Sequence, residues 1–188
     1  MVSETYRITP VKIAETKVSR DKDEVLVAYS LGSCIGLALW DCKQRAGGLS
    51  HVFLPQPRDF EYVAASGNSE SGPGFVCKTR HNEQPGKYGS TAVPHLVSEL
   101  IKMGCRRHNL QAILVGGANV IPGLSSPFGE IGQLNLQAVK GALAMEGIKI
   151  VGEDTGGNHG RSIYFNLNSG VVKVTSVTRP EKELRFEE

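Results

Sequence analysis

The sequence predicts one mixed α/β (α+β) domain, in which two main helices pack against extensive β-sheet. Short apolar runs rich in β-branched residues, separated by glycine and polar turns, indicate strands. Two longer stretches instead repeat apolar residues at helical spacing. No polar linker divides the 188 residues into two cores, so residues 1–178 are assigned to a single domain and residues 179–188 to a charged C-terminal tail.

The first half of the chain is predicted to be mainly strand. Residues Val11–Ala14 alternate between apolar and polar and indicate an edge strand. Three apolar runs follow, at Val25–Ser30, Cys34–Trp40 and Gly48–Leu54. Because the polar turn 41–46 joins the last two runs, they are expected to pair as a hairpin.

The middle of the chain begins with a loop and continues with a helix and a strand. Residues 55–84 are rich in proline, glycine, serine and asparagine, which predicts a long loop that is either disordered or functional. Apolar residues then recur on one helical face from Val93 to Ile101, with Ser90 as the expected N-cap and Gly104 just past the end. Residues Leu110–Val115 form the next predicted strand.

The C-terminal part is predicted to contain one more helix and three more strands. The helix runs over Ile131–Glu146 and ends at a glycine. The strands are expected at Ile148–Glu153, Arg161–Leu167 and Val171–Val177, and the last two are joined by a tight-turn sequence. The tail Arg179–Glu188 is too charged to be expected in the core.

Composition excludes several classes of function. Lys plus Arg number 21 against 19 for Asp plus Glu, so the strong basic bias of a nucleic-acid-binding domain is absent. No apolar run reaches the roughly 18 residues that a membrane-spanning helix needs. The N-terminal residues are charged throughout and lack the apolar segment of a signal peptide. We therefore expect a cytoplasmic protein whose four cysteines are reduced.

A candidate nucleophile lies where two predicted strands meet. Residues Leu31–Cys34 form a sharp turn that would lift the Cys34 side chain out of the sheet. Small residues before it leave the backbone N–H groups of Ser33 and Cys34 accessible, as an oxyanion hole requires. The alternative is a buried cysteine that behaves only as a small apolar side chain.

His51 is the candidate partner of that cysteine. In a hairpin about the turn 41–46, residues whose numbers sum to about 87 lie opposite each other, and Cys34 and His51 sum to 85. The two side chains are then cross-strand neighbours, and an imidazole beside a thiol can accept its proton. The alternative is a hydrogen-bonded histidine of the core.

Other polar groups are not expected to bind metals or phosphates. Cys77 with His81, and Cys105 with His108, have spacings that a zinc site could use, but one pair lies in the long loop and the other beside two arginines. The glycine-rich stretches 115–119 and 154–161 match no nucleotide-binding motif and are interpreted as tight turns at the rim of a pocket. We expect no metal and no organic cofactor.

A series of segments carries a family resemblance. In order they are LGSC, a hairpin, GGLSHVFLP, KYGSTA, LVGGAN, IGQLN and EDTGGNHGR, between about Val25 and Val177. This order and spacing resemble the bacterial chemotaxis protein CheD family, the chemoreceptor glutamine deamidases. The resemblance implies a layered α/β sandwich shared with a bacterial toxin deamidase. It also implies that Cys34 is the nucleophile and His51 the catalytic histidine.

One position departs from the family pattern. A few residues before the cysteine, the family usually has a threonine, which orients the histidine. Six positions before Cys34, this chain has Ala28. Ser30 is the small hydroxyl nearest that position, and alternation along a strand puts residues 28, 30 and 32 on one face. We therefore expect the Ser30 hydroxyl, or failing it a backbone carbonyl, to accept a hydrogen bond from the His51 ring.

The resemblance implies a function and its alternatives. The implied reaction is cysteine-dependent deamidation of glutamines to glutamate, through a thioester, on the cytoplasmic domains of methyl-accepting chemotaxis receptors. Hydrolysis of glutamate methyl esters would use the same chemistry. One alternative is a regulatory partner of a CheC-type phosphatase with weak catalysis, and another is a different cysteine amidase or peptidase.

Overall fold

The computed structural model of the protein describes residues 6–57, 61–64, 75–78, 84–120 and 130–187. In chain order its elements are β1 (Arg7–Pro10), β2 (Thr16–Ser19), β3 (Glu24–Leu31), β4 (Ile35–Asp41), β5 (Ala46–Val52), β6 (Glu61–Ala64), β7 (Phe75–Lys78), α1 (Gly89–Lys102), β8 (Leu110–Gly116), α2 (Ile131–Met145), β9 (Lys149–Thr155), β10 (Arg161–Asn166), β11 (Val171–Thr175) and β12 (Lys182–Arg185). Short 3-10 turns lie at Pro85–Lys87 and Arg107–Asn109.

The strands form two five-stranded sheets and one small ribbon. The first sheet has the order β1-β3-β10-β11-β12 and the second the order β2-β5-β4-β8-β9, while β6 pairs with β7. Most pairs are antiparallel, but β1 runs parallel to β3 and β8 runs parallel to β9. The predicted fold class, an α+β layered sandwich of mixed sheet with two main helices, is confirmed.

Two apolar layers hold the sandwich together, and the second sheet lies between them. Along β4, Ile35, Leu37 and Leu39 pack toward the two helices, whereas Ala38 and Trp40 pack toward the first sheet. A strand that is buried on both faces needs apolar residues at successive positions. This double burial explains the continuous apolar run that predicts β4.

The N-terminal segment differs from its predicted edge strand. Residues 11–14 lie between β1, which pairs in the first sheet, and β2, which pairs in the second. The chain therefore crosses from one sheet to the other here, and Ala14 adopts a positive φ of 65° within the crossing. Alternating apolar residues indicate burial, but they do not show which of two sheets the chain joins.

The C-terminal residues also differ from the predicted tail. Residues 182–185 form β12, which extends the first sheet by pairing with β11. Leu184 and Phe186 pack against the layer between the sheets, and the Phe186 ring centroid lies 5.5 Å from that of Phe165. The charged neighbours of these two residues conceal an alternating strand pattern.

Smaller differences concern the loop and the first helix. The predicted loop 55–84 contains the β6–β7 ribbon, and its residues 58–60, 65–74 and 79–83 lie outside the described residues. Ser90 is within the first turn of α1 rather than at its N-cap, which is Tyr88. Gly104 has a φ of +91°, as expected after a helix end. In the described part of the chain, no helix is long and apolar enough to cross a membrane.

Candidate active site

The predicted hairpin of β4 and β5 is confirmed, with the expected register. Ile35 lies opposite Val52 and Gly36 lies opposite His51. Cys34 directly precedes β4, so it is placed diagonally across from His51 on the side that faces the first sheet. Both residues are buried, with 8% of Cys34 and 3% of His51 exposed. The hairpin brings the candidate nucleophile and base to one end of the two strands.

The turn before Cys34 is held by hydrogen bonds to each of its carbonyl groups. The Gly32 oxygen accepts from the backbone N–H of Ala118 at 2.8 Å, and the Cys34 oxygen accepts from that of Gly117 at 2.8 Å. Between them, the Ser33 oxygen accepts from the side-chain amide of Asn135 at 2.9 Å. Because C=O and N–H point in opposite directions in a trans peptide, these bonds direct the N–H groups of Ser33 and Cys34 away from the supporting groups.

Gly116 makes the close approach of β8 to this turn possible. A Cβ atom at this position would lie only 2.2 Å from the carbonyl oxygen of Cys34, and the residue has a φ of +109°. Both the contact and the backbone conformation therefore require glycine. The end of β8 supports the Cys34 turn through direct backbone contact.

The N-terminal crossing holds His51 in place. The ring Nδ1 lies 3.3 Å from the carbonyl oxygen of Val11. The backbone of His51 accepts from the N–H of Ala14 and donates to the oxygen of Glu15, at 2.9 and 3.0 Å. Since the Val11 carbonyl can only accept, Nδ1 carries the proton. Nε2 is then a buried acceptor, and it has no hydrogen-bond partner within the described residues.

The structure does not bring the Ser30 hydroxyl to this ring. Ala28 faces Ile163 and Leu31 faces Arg161, so two residues of β3 lie opposite one residue of β10. This is a β-bulge, and Ser30 within it has a φ of 57°. Ala28 and Leu31 are therefore both buried, whereas Tyr29 and Ser30 are both exposed. The bulge breaks the alternation on which the expectation for Ser30 rested. The partner of the ring is instead a backbone carbonyl, the alternative expected if Ser30 failed, and it belongs to Val11.

Burial keeps both members of the pair neutral at rest. It raises the pKa of the Cys34 thiol, and the residue's own backbone N–H offsets this only in part. Burial also lowers the pKa of His51, against a smaller opposing effect of the Val11 carbonyl. A protonated thiol and an unprotonated imidazole therefore occupy the same end of the hairpin. Such a pair can transfer the proton when the sulfur attacks, with the imidazole acting as the general base.

The two glycine-rich turns lie next to this site and are joined to each other. The N–H of Gly156 donates to the oxygen of Gly116 at 2.9 Å, and the N–H of Asn119 donates to that of Gly157 at 2.8 Å. The buried Arg161 side chain fastens the second turn, donating to the Gly156 oxygen at 2.9 Å. These contacts join the two stretches to each other at the ends of β8 and β9.

Two residues of the site were not identified from sequence. Val11 contributes a backbone oxygen, which leaves no signal in a side-chain pattern. Asn135 does leave one, because the buried residues of α2 include Gly132, Val139 and Leu143, and a polar side chain among them is unusual. A buried asparagine on an apolar helix face needs hydrogen-bond partners, and here they lie at the Cys34 end of the hairpin.

Cys42 and Cys105 lie near Asp41, at the opposite end of the β4–β5 hairpin from Cys34. Cys34, Cys42 and Cys105 are free thiols, and burial raises the pKa of Cys105 to about 11. Cys77 belongs to β7, and its spacing partner His81 lies outside the described residues. Where the structure describes the chain, no three His, Cys, Asp or Glu side chains group as metal ligands would.

Comparison with known proteins identifies the family. A family model described as CheD chemotactic sensory transduction matches residues 76–176. A relative from Geobacter metallireducens, named probable chemoreceptor glutamine deamidase CheD 2, is 40% identical over 95% of this chain and 99% of its own length. Relatives named probable chemoreceptor glutamine deamidase CheD are 38% identical in Symbiobacterium thermophilum, over 95% of this chain and 98% of the relative, and 35% identical in Pyrococcus horikoshii, over 82% and 83%. The chain therefore belongs to the CheD family of chemoreceptor glutamine deamidases.

Proposed function

We propose that this protein deamidates selected glutamines of methyl-accepting chemotaxis receptors to glutamate, with Cys34 as the nucleophile. The observation that carries the proposal is the placement of the Cys34 thiol diagonally across from His51, whose Nε2 is buried and without a hydrogen-bond partner in the described residues. The names of the relatives supply the substrate class, since they are called chemoreceptor glutamine deamidases.

In the first half of the reaction, the sulfur of Cys34 attacks the side-chain amide carbon of glutamine. Nε2 of His51 accepts the thiol proton as the carbon–sulfur bond forms. The carbonyl oxygen becomes an oxyanion, which the backbone N–H groups of Ser33 and Cys34 stabilise. The imidazolium then donates its proton to the amide nitrogen, the carbon–nitrogen bond breaks, and ammonia leaves a thioester behind.

In the second half, water hydrolyses that thioester. His51 is neutral again and accepts a proton from the attacking water, and the same N–H groups stabilise the second oxyanion. The carbon–sulfur bond breaks, the sulfur regains its proton from the imidazolium, and the substrate leaves as glutamate. Glutamine and water are consumed, and glutamate and ammonia are released.

Two further activities follow from the same site and from the family resemblance. A glutamate methyl ester would form the same thioester, because only the leaving group differs. Binding of a CheC-type phosphatase remains a prediction from the resemblance, and size-exclusion chromatography of the two purified proteins tests it. Receptor cytoplasmic domains as substrates imply that the protein works in the cytoplasm.

The direct test of the proposal is mass spectrometry of a receptor. A purified cytoplasmic fragment of a methyl-accepting receptor is incubated with this protein and digested. Modified glutamines are expected to gain about 1 Da each, because an amide nitrogen is replaced by oxygen, and one ammonia is released per site. The Cys34→Ala variant is the control. An unchanged receptor and no ammonia after incubation with the wild-type protein would reject the proposed function.

A further inference from the structure

The side chain of Asn135 joins the two strands that carry the candidate nucleophile and base. Its Nδ2 group donates to the carbonyl oxygen of Ser33 at 2.9 Å and to that of Phe53 at 3.0 Å. Ser33 directly precedes Cys34, and Phe53 is the second residue after His51. One fully buried amide on α2 therefore ties the start of β4 to the end of β5.

The hydrogen bonds determine how this amide is oriented, and this orientation leaves its oxygen without a hydrogen-bond partner in the described residues. Both partners are carbonyl oxygens, so the NH₂ group and not Oδ1 must face them. Oδ1 is left without a hydrogen-bond partner in the described part of the chain. A buried acceptor without a partner destabilises a protein, which makes asparagine a poor choice for packing alone.

The first turn of α2 also contacts the backbone of Gly117 and Ala118, which follow β8 and hold the Cys34 turn. A Cβ atom on Gly132 would lie 2.7 Å from the Gly117 oxygen and 2.8 Å from the Ala118 oxygen. The N–H groups of Gly117 and Ala118 hold the carbonyl oxygens of Cys34 and Gly32. The start of α2 thus holds the Ser33 carbonyl directly, through Asn135. It also supports, through Gly117 and Ala118, the carbonyl groups of the residues before and after Ser33.

We infer that Asn135 is a positioning residue, which holds the Ser33–Cys34 peptide so that its N–H group faces the developing oxyanion. The inference rests on the proposed function and on the geometry of the peptide. Since the Ser33 carbonyl is held toward Asn135, the Cys34 N–H must point the opposite way. Without the amide, this peptide can rotate and the N–H donor is no longer fixed before the reaction begins.

Two reactions of Cys34 separate this role from general support of the fold. Acylation by p-nitrophenyl acetate forms a thioester through an oxyanion and releases p-nitrophenol. Alkylation by iodoacetamide displaces iodide at carbon and forms no oxyanion. The Asn135→Ala variant is expected to acylate about tenfold to a hundredfold more slowly, the range for loss of one oxyanion donor. Its alkylation rate and the pH dependence of that rate are expected to stay within about threefold of wild type.

A matched control removes two comparable hydrogen bonds from the far end of the first sheet. Oδ1 of Asn166 accepts from the backbone N–H groups of Asn168 and Ser169 at 2.8 and 3.1 Å. The Asn166→Ala variant is expected to melt at a lower temperature but to acylate and alkylate as wild type does. If Asn135→Ala does not melt cooperatively, Asn135→Ser is measured instead, with the same expected difference between the two reactions.

Two results would overturn the inference. One is an unchanged acylation rate in a folded Asn135 variant. The other is an equal loss of acylation and alkylation, which would mean that the substitution only disturbs the thiol or the fold. Neither reaction requires receptor recognition, so a wild-type protein that acylates but leaves receptors unmodified would reject the proposed function and leave this test of Asn135 intact.

Discussion

The two ends of the β4–β5 hairpin both carry buried polar groups, but their hydrogen bonding differs. At one end, the fully buried carboxylate of Asp41 accepts from the backbone N–H groups of Lys43, Gln44 and Arg106 at 3.0, 3.0 and 3.1 Å. At the other end, Nε2 of His51 has no hydrogen-bond partner in the described residues. The Asp41 end is saturated with hydrogen bonds, and the Cys34 end keeps an unused acceptor.

This difference distinguishes, at similar burial, a structural site from the site that we propose to be reactive. Asp41 joins its own hairpin turn to the residues that follow α1, so both of its carboxylate oxygens accept hydrogen bonds that connect parts of the fold. An unused acceptor in the core costs stability, and chemistry gives a reason to keep it. A substitution at the Cys34 end should therefore lower activity more than stability, and a substitution at the Asp41 end should lower stability more than activity.

The largest effect on activity is expected for Cys34→Ala. Removal of the nucleophile should lower receptor deamidation by at least about a thousandfold. The free energy of unfolding should change by less than about 1 kcal/mol, because only one buried side-chain atom is lost. Mass spectrometry and chemical denaturation of the same sample check both. Activity above about a tenth of wild type would remove Cys34 from the mechanism.

His51 should couple activity and stability to acidic pH. Its pKa is lowered by burial from an ordinary value of 6.5, so it stays an unprotonated base below that pH. Activity should fall only as the pH drops through the lowered pKa of the folded protein. Stability should decline from about pH 6.5 downward, because the unfolded chain binds a proton there that the folded one does not.

The matched variant for this prediction is His51→Ala. Its activity should be lower than that of wild type by about a hundredfold or more at every pH. Its melting temperature should decline less below pH 6.5, because the contribution of His51 to that decline is absent. A pH series of initial rates and melting curves compares it with wild type. An activity profile that begins to fall well above pH 6.5 would contradict the lowered pKa.

Asp41→Ala should show the opposite balance at the other end of the hairpin. Loss of the carboxylate breaks three partly buried hydrogen bonds, from the backbone N–H groups of Lys43, Gln44 and Arg106, which should cost about 2–4 kcal/mol of unfolding free energy. The folded fraction should deamidate at the wild-type rate. Denaturation and activity measured at a temperature where the variant is folded test this, and a large loss of turnover there would mean that the two ends are not independent.

The smallest effect is expected for Ser30→Ala. The side chain is exposed and the His51 ring is held by the Val11 carbonyl, so activity should remain within about twofold of wild type. Initial rates on the same receptor fragment are sufficient. A tenfold loss would show that the Ser30 hydroxyl acts at the site in spite of the bulge.

Local patterns predicted the hairpin and the placement of Cys34 and His51 at one end of it, because both depend on residues close in sequence. The register that pairs Gly36 with His51 follows from the length of one turn. The bulge at Ser30 could not be foreseen, since an extra residue in β3 is visible only against β10, more than a hundred residues later. Val11 was missed because its contribution is a backbone oxygen. The core contact of Phe186 was missed because charged residues surround it in the sequence.

The crossing segment 11–15 bears on the order in which the site assembles. The β4–β5 hairpin closes a short loop, which is fast, whereas the contact of Val11 with His51 waits until β1 and β2 have docked in different sheets. A nascent chain that has formed only the hairpin therefore has its cysteine and histidine together but the imidazole free to rotate. If Cys34 and His51 act as proposed, we expect full reactivity of the sulfur toward amides to arise late in folding, when residues 7–19 have joined both sheets.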